Sequence, residues 1–178
     1  MAMVRYVHDE LRDVFSALAA SAVNVAVMVS VRGFSPVRPS GLALLAGLAL
    51  AFLAVYTLLR SSRLKWFSGV KQFEAAVPVE DTDAALPTGD SLRRHPIGLR
   101  LFAACVAMTL PLALLWDSWM AVFPLWPALA WLGRAVVCAR WERRHGRLVW
   151  RGHLPEEPWE LSVSRRPPTR TATDAPPA

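Results

Sequence analysis

Cysteine, histidine and carboxylate are the residue types here most suited to chemistry, and the chain holds 2 Cys and 4 His among its 178 residues. Cys105 and Cys138 fall inside apolar stretches, about 12 Å and about 3 Å from the ends that would face one common side. Neither that depth mismatch nor a reducing compartment suits a disulfide, and Cys138 reads as a buried packing thiol. His8, His95, His145 and His153 show no zinc-ligand spacing with Cys or Asp partners. Asp81 and Asp83 stand like the opening ligands of a calcium loop, but Ala85 and Leu86 occupy the places that require a ligand and a glycine. A glycine-rich phosphate loop, a nucleophile elbow and a His-Glu-x-x-His helix are all absent from the sequence. The expectation is therefore no catalytic residue, no metal site, no cofactor and no enzymatic activity.

The elements that would position any site follow from the apolar excess. Residues of the set AVILMFWYC make up 54% of the chain and charged residues 19%, against about 25% charged in average soluble domains. Charges leave four gaps, at 14–31, 42–59, 97–116 and 119–139. A bilayer core about 30 Å thick needs roughly 17 to 25 apolar residues in a helix. The fold class expected is an all-α integral membrane protein with four transmembrane helices in two hairpins. Arg100 lies one turn inside the third stretch, where it can snorkel to the headgroups, and Arg134 lies within the fourth. Pro124 and Pro127 sit in the first turns of the fourth, where missing donors cost least. Asp9, Glu10 and Asp13 ahead of the first stretch argue against a signal peptide, whose leading region is cationic.

Positive charge sets the orientation. The 20 Lys+Arg comprise two residues before the first span, two between the first pair, six in the middle loop, none between the last pair and eight in the tail, with Arg100 and Arg134 inside helices. Sixteen then share a side against two, which places the N-terminus, middle loop and tail in the cytoplasm. The chain is expected to be a multi-pass protein of the cytoplasmic membrane, and its heavy use of Ala, Pro and Arg rather than Lys suggests a GC-rich, bacterial genome. On the outer side, Asp117 and Ser118 between Trp116 and Trp119 form a polar turn, with no His on that side to make them reactive.

On the cytoplasmic side, Val4, Val7, Leu11, Val14 and Leu18 recur at helical spacing and extend the first helix back to about Met3. Leu64, Phe67, Val70, Phe73 and Val77 form the stripe of an interfacial amphipathic helix, completing an N-terminal unit over 1–77. Residues 78–96 read as a polar loop, 97–139 as the second hairpin, 140–163 as a basic Trp-rich segment lying on lipid, and 164–178 as a disordered tail. Arg60, Arg63, Trp66, Arg140, Trp141, Arg143, Arg144, Arg147 and Trp150 are the residues expected to face anionic lipid or a partner. Nucleic acid is a poor alternative for a basic run that directly follows a span. Arg, Arg, Leu and Trp recur at one spacing in 60–66 and 144–150, which raises a duplicated hairpin as an option.

Small residues predict the packing. Ala43, Gly47 and Ala51 share one face of the second helix, and Ser16, Ala20 and Asn24 share one of the first, so these two helices are expected to pair with Asn24 bonding across. Function remains the widest inference. The first expectation is an accessory or scaffold subunit docking a membrane-protein partner, another copy of itself or anionic lipid at the cytoplasmic face. The alternative is an oligomeric channel or transporter for small solutes or anions, with Arg100 and Arg134 at a pore mouth. An enzyme acting on lipid headgroups is the remote third.

Overall fold

Val7, Glu10, Val14, Ala17, Ser21, Asn24 and Met28 alternate at three- and four-residue spacing, and all are buried. Such spacing holds one seam of a helix against its neighbours, here along α1 (Tyr6–Arg32). The structure, a computed structural model, describes residues 4–33, 39–61, 69–79, 92, 95–151 and 160–165, and these are mostly helical. Around α1 the chain runs β1 (Val4–Arg5), α2 (Pro39–Ser61), α3 (Gly69–Glu74), β2 (Val77–Pro78), α4 (Leu99–Leu115), a 3-10 turn at Ser118–Val122, α5 (Leu125–His145), β3 (Arg147–Arg151) and β4 (Leu161–Arg165). α1 and the segment Ser118–His145 are long and apolar enough to cross a membrane, while α4 and the described side chains of α2 form shorter apolar helices.

Cross-links along α1 fix the helix directions. Ser16 Oγ accepts from the Gly98 backbone N–H at 2.8 Å, Asn24 Nδ2 donates to Thr109 Oγ1 at 2.6 Å, and Arg32 donates to the Leu114 carbonyl. Residue numbers rise together, so α4 runs parallel to α1. Arg5 with Glu142 and Glu10 with Arg134 make α5 antiparallel to it. Phe52 meets Trp126 edge-on and Tyr56 lies over Gly133, which sets α2 alongside α5 in the same direction. The four long helices thus form a row, α4 beside α1 beside α5 beside α2, with successive helices in the chain alternating in direction.

This row corrects the expected pairing. Sequence neighbours were expected to pair as hairpins, but the extensive interfaces are α1 with α5, α1 with α4 and α2 with α5. Asn24 bonds across as expected, though to Thr109 and, at 3.5 Å, to the Ala121 carbonyl rather than to α2. The polar seam of α1 finds its hydroxyl and carbonyl partners there. Gly47 and Ala51 are exposed, and a Cβ built on Gly47 meets nothing within 4 Å, so this small-residue face makes no close approach. The side chain of Ala43 lies outside the described residues. Gly133 is where helices do close up, since a Cβ there would stand 2.5 Å from Tyr56 Cδ1.

Element ends differ from expectation as well. The turn after α4 is longer than Asp117 and Ser118: Asp117 Oδ1 accepts from the Trp119 N–H, the 3-10 turn follows, and α5 begins only at Leu125. Pro124 and Pro127 lack the N–H groups that earlier α-helical turns would use. At the other end, Gly146 in the left-handed region (φ 63°) terminates α5 and turns the chain into β3.

A small sheet then caps that end of the row, in the order β1-β3-β4-β2. Strand β3 pairs antiparallel with β4, with Val149 opposite Val163, and antiparallel with β1, while β2 joins β4 in parallel. Beneath the sheet, Tyr6, Val7, Phe73, Cys138, Trp141, Val149 and Val163 form a buried core. The expected lipid-lying segment 140–163 is therefore helix end and strand where described, and residues 164 and 165 belong to β4 rather than to a disordered tail. Of the expected amphipathic helix, Leu64 and Phe67 lie outside the described residues, Gly69–Glu74 forms α3 and Val77 enters the sheet; Phe73 still turns inward from the predicted stripe.

Candidate functional site at the sheet-capped end

Glu10 occupies a seam position of α1 with 2% of its surface exposed. A carboxylate there needs cations, and a facing helix and a strand supply them. Arg134 on the facing turn of α5 places Nε 2.9 Å from Glu10 Oε2. Arg151 on β3 places Nη2 3.5 Å from Glu10 Oε1 and donates from Nη1 to Asp9 Oδ2 at 2.7 Å. The Arg151 guanidinium also lies 4.7 Å above the Tyr6 ring, a cation–π contact that holds it flat against α1. One layer out, Arg5 pairs with the buried Glu142, whose Oε1 accepts from the Val149 backbone N–H at 3.0 Å. Glu142 thereby ties both β1 and β3 to the end of α5.

Beside the inner ion pairs lies a cavity of about 470 Å³. Its polar lining is Tyr6, Arg60, Gln72, Arg134, Arg151 and Glu160; Ala75, Ala76 and Leu161 complete it. Arg60 comes from the last turn of α2 and lies over the backbone of Gly69, which opens α3. Its Nε is buried with no hydrogen-bond partner among the described residues. Three guanidinium groups from three different elements therefore converge on one space, backed by carboxylates that stand behind two of them. Such an arrangement can bind an anionic group. Among the described residues, no group of three or more His, Cys, Asp or Glu could hold a metal ion.

No family model, no curated protein and no solved structure matches this chain.

The residues singled out in the sequence divide three ways. Arg60 and Arg134 come together at the cavity. Arg140, Arg143, Arg144 and Arg147 are exposed around the end of α5 and the start of β3. Trp141 and Trp150 depart from the expected lipid-facing role: both are buried, Trp141 against Phe73 and His145, and Trp150 with its indole N–H donating to Ser164 Oγ at 2.8 Å. Arg100 is exposed on the first turn of α4, whereas Arg134 is engaged by Glu10, so the pair does not make a rim of two free cations. Arg63, Trp66, His153, Asp81 and Asp83 lie outside the described residues, as does most of the first copy of the possible repeat. Cys138 is buried and both cysteines are free.

Asp9, Glu10, Arg151, Tyr6, Gln72, Arg5 and Glu142 were missed by sequence reasoning. A signal for the central pair was present. Glu10 falls in register with Val7, Val14 and Ala17, and Arg134 is the one charge of an apolar stretch, so each needs the other.

Proposed function

We propose that the chain is a four-span protein of the cytoplasmic membrane, with both termini and the sheet-capped end in the cytoplasm, acting without enzymatic activity as an accessory or scaffold subunit. The observation that carries this reading is an inverted distribution of polarity. Ser16, Ser21, Asn24 and Thr109 are buried between helices, while Leu18, Val25, Leu50, Leu58, Leu99, Met108 and Leu115 face outward. Water would penalise so much exposed apolar surface, whereas lipid accepts it and leaves close packing and polar bonds to hold the helices. Supporting the orientation, the exposed Arg140, Arg143, Arg144 and Arg147 cluster at the sheet-capped end, where an anionic inner leaflet would attract them. They and the cap form the surface on which a membrane-protein partner or anionic lipid would dock.

The channel reading is weaker, because it relied on Arg134 as a free charge and Glu10 stands 2.9 Å from it. Solute flux in proteoliposomes that disappeared in Arg134→Ala would restore it. Topology is tested with alkaline phosphatase fusions in a bacterial host: a fusion after Asp117 is expected to be active and one after Gly89 inactive. The opposite pattern overturns the orientation. Copurification of one stable partner, lost when Arg140, Arg143, Arg144 and Arg147 are all changed to Gln, is the result expected of a docking subunit.

A further inference from the structure

We propose that the cavity among α2, α3, α5 and β3 is a binding site for a compact phosphate-type oxyanion, held by Arg60, Arg134 and Arg151. The proposal deepens the docking reading above and shares its sheet-capped end, but it depends on the geometry of the cavity and not on which side of a membrane that end faces.

Donor accounting leads to the ligand. A guanidinium carries five N–H donors in a fixed fork. Arg134 Nε lies 2.9 Å from Glu10 Oε2 as an ion pair outside hydrogen-bond geometry, and that Nε is buried with no hydrogen-bond partner among the described residues. Arg151 is oriented by Asp9 and Glu10 and braced on Tyr6, and its Nε is buried without a partner. The buried Nε of Arg60 is likewise without a hydrogen-bond partner among the described residues. The carboxylates of Asp9 and Glu10 therefore act as supports, holding two forks in place while leaving their outer donors for something else. Buried cationic donors call for an anionic acceptor.

Phosphate fits better than carboxylate. It presents three terminal acceptor oxygens, one for each converging guanidinium, and carries up to two negative charges. The volume of about 470 Å³ holds such a group together with part of what it esterifies. Among the described residues, Glu160 is the one carboxylate lining the cavity, and it disfavours ligands whose negative charge extends beyond a single compact group. Gln72 adds a neutral hydrogen-bonding group. The phosphate could belong to an anionic lipid headgroup or to a soluble ion, and these sources are separable.

The test titrates inorganic phosphate, at matched ionic strength against chloride, into the full chain reconstituted in nanodiscs of phosphatidylcholine, with isothermal calorimetry as the readout. Saturable binding is expected. Arg60→Gln, which leaves the Glu10 ion pairs intact, is expected to weaken it at least tenfold. Gln72→Glu, an exposed position that would bring a carboxylate into the cavity, is expected to do the same without disturbing folding. Arg144→Gln removes an equal charge away from the cavity and is expected to bind as the parent does. Repeating the titration in nanodiscs containing phosphatidic acid separates the sources: loss of phosphate binding there identifies the lipid headgroup, and persistence identifies a soluble anion. Absence of binding in phosphatidylcholine nanodiscs, full binding by both Arg60→Gln and Gln72→Glu, or equal loss in Arg144→Gln overturns the proposal. A failed phosphatase topology with intact phosphate binding would reject the orientation and leave the site standing.

Discussion

Arg134 alone in an apolar stretch invites a snorkelling explanation, yet its Nε rests on a carboxylate that is itself 2% exposed. Removing one member of a buried pair strands the other, which commonly costs about 3 kcal/mol or more. Glu10→Ala leaves both Arg134 and Arg151 without their shared partner, so it is expected to lower stability by about 3 kcal/mol in chemical unfolding of the detergent-solubilised chain. Asp9 is more exposed, with 27% of its side chain accessible, and Asp9→Ala is expected to cost about 0.5 kcal/mol. Equal effects of the two substitutions would show that Glu10 does not organise the network. Asn24→Leu removes one interhelical hydrogen bond and is expected to cost about 1 kcal/mol. At this scale the sequence was half legible. Asn24 stood out because an amide in an apolar helix must find a partner, but which helix supplies it depends on a non-local register that Thr109 alone does not announce. Glu10 was hidden because it lies where an apolar helix merges into its polar extension, and only the fold shows that the seam continues through it.

Between elements, the two glycines predict opposite signs. A Cβ on Gly133 would meet the Tyr56 ring at 2.5 Å, while one on Gly47 meets nothing within 4 Å. Gly133→Ala is therefore expected to lower the melting temperature by prising α2 from α5. Gly47→Ala is expected to leave it unchanged or raise it slightly, since glycine within a helix is less stable than alanine by roughly 0.5 to 1 kcal/mol. A thermal melt of both variants in one detergent decides the matter, and destabilisation by Gly47→Ala alone would restore the pairing of α1 with α2 that small-residue spacing suggested. Helix positions were readable because charge gaps and apolar length constrain them strongly. The strands were not. Val149 and Trp150 lie beside a run of arginines, and Val4 with Arg5 and Val77 with Pro78 are segments of two residues whose extended form is imposed by pairing partners far away in the chain.

For the molecule as a whole, charge counting and apolar stretches anticipated a mostly helical chain, and β1, β2, β3 and β4 gather the N-terminal segment, the stretch after α3 and the stretch after α5 at one end. What composition could not convey is that this end carries a folded cap with its own core. Trp141 and Trp150 carry the same residue type that anchors interfaces elsewhere, and nothing local distinguishes a tryptophan that meets headgroups from one that meets Phe73. The phosphate prediction belongs to this scale too, because Arg60, Arg134 and Arg151 approach one another only once α2, α5 and β3 are all in place.

The sheet also imposes an order on biosynthesis. Val4 is synthesised before α1, but its partner Arg151 follows α5, and β2 waits for β4. Until then Tyr6, Val7 and Phe73 have no sheet to cover them. Nascent chains halted before β3 would present that apolar cluster, and the unpaired edge of β1, to chaperones and proteases. Completion of the cap thus waits on the delivery of α5.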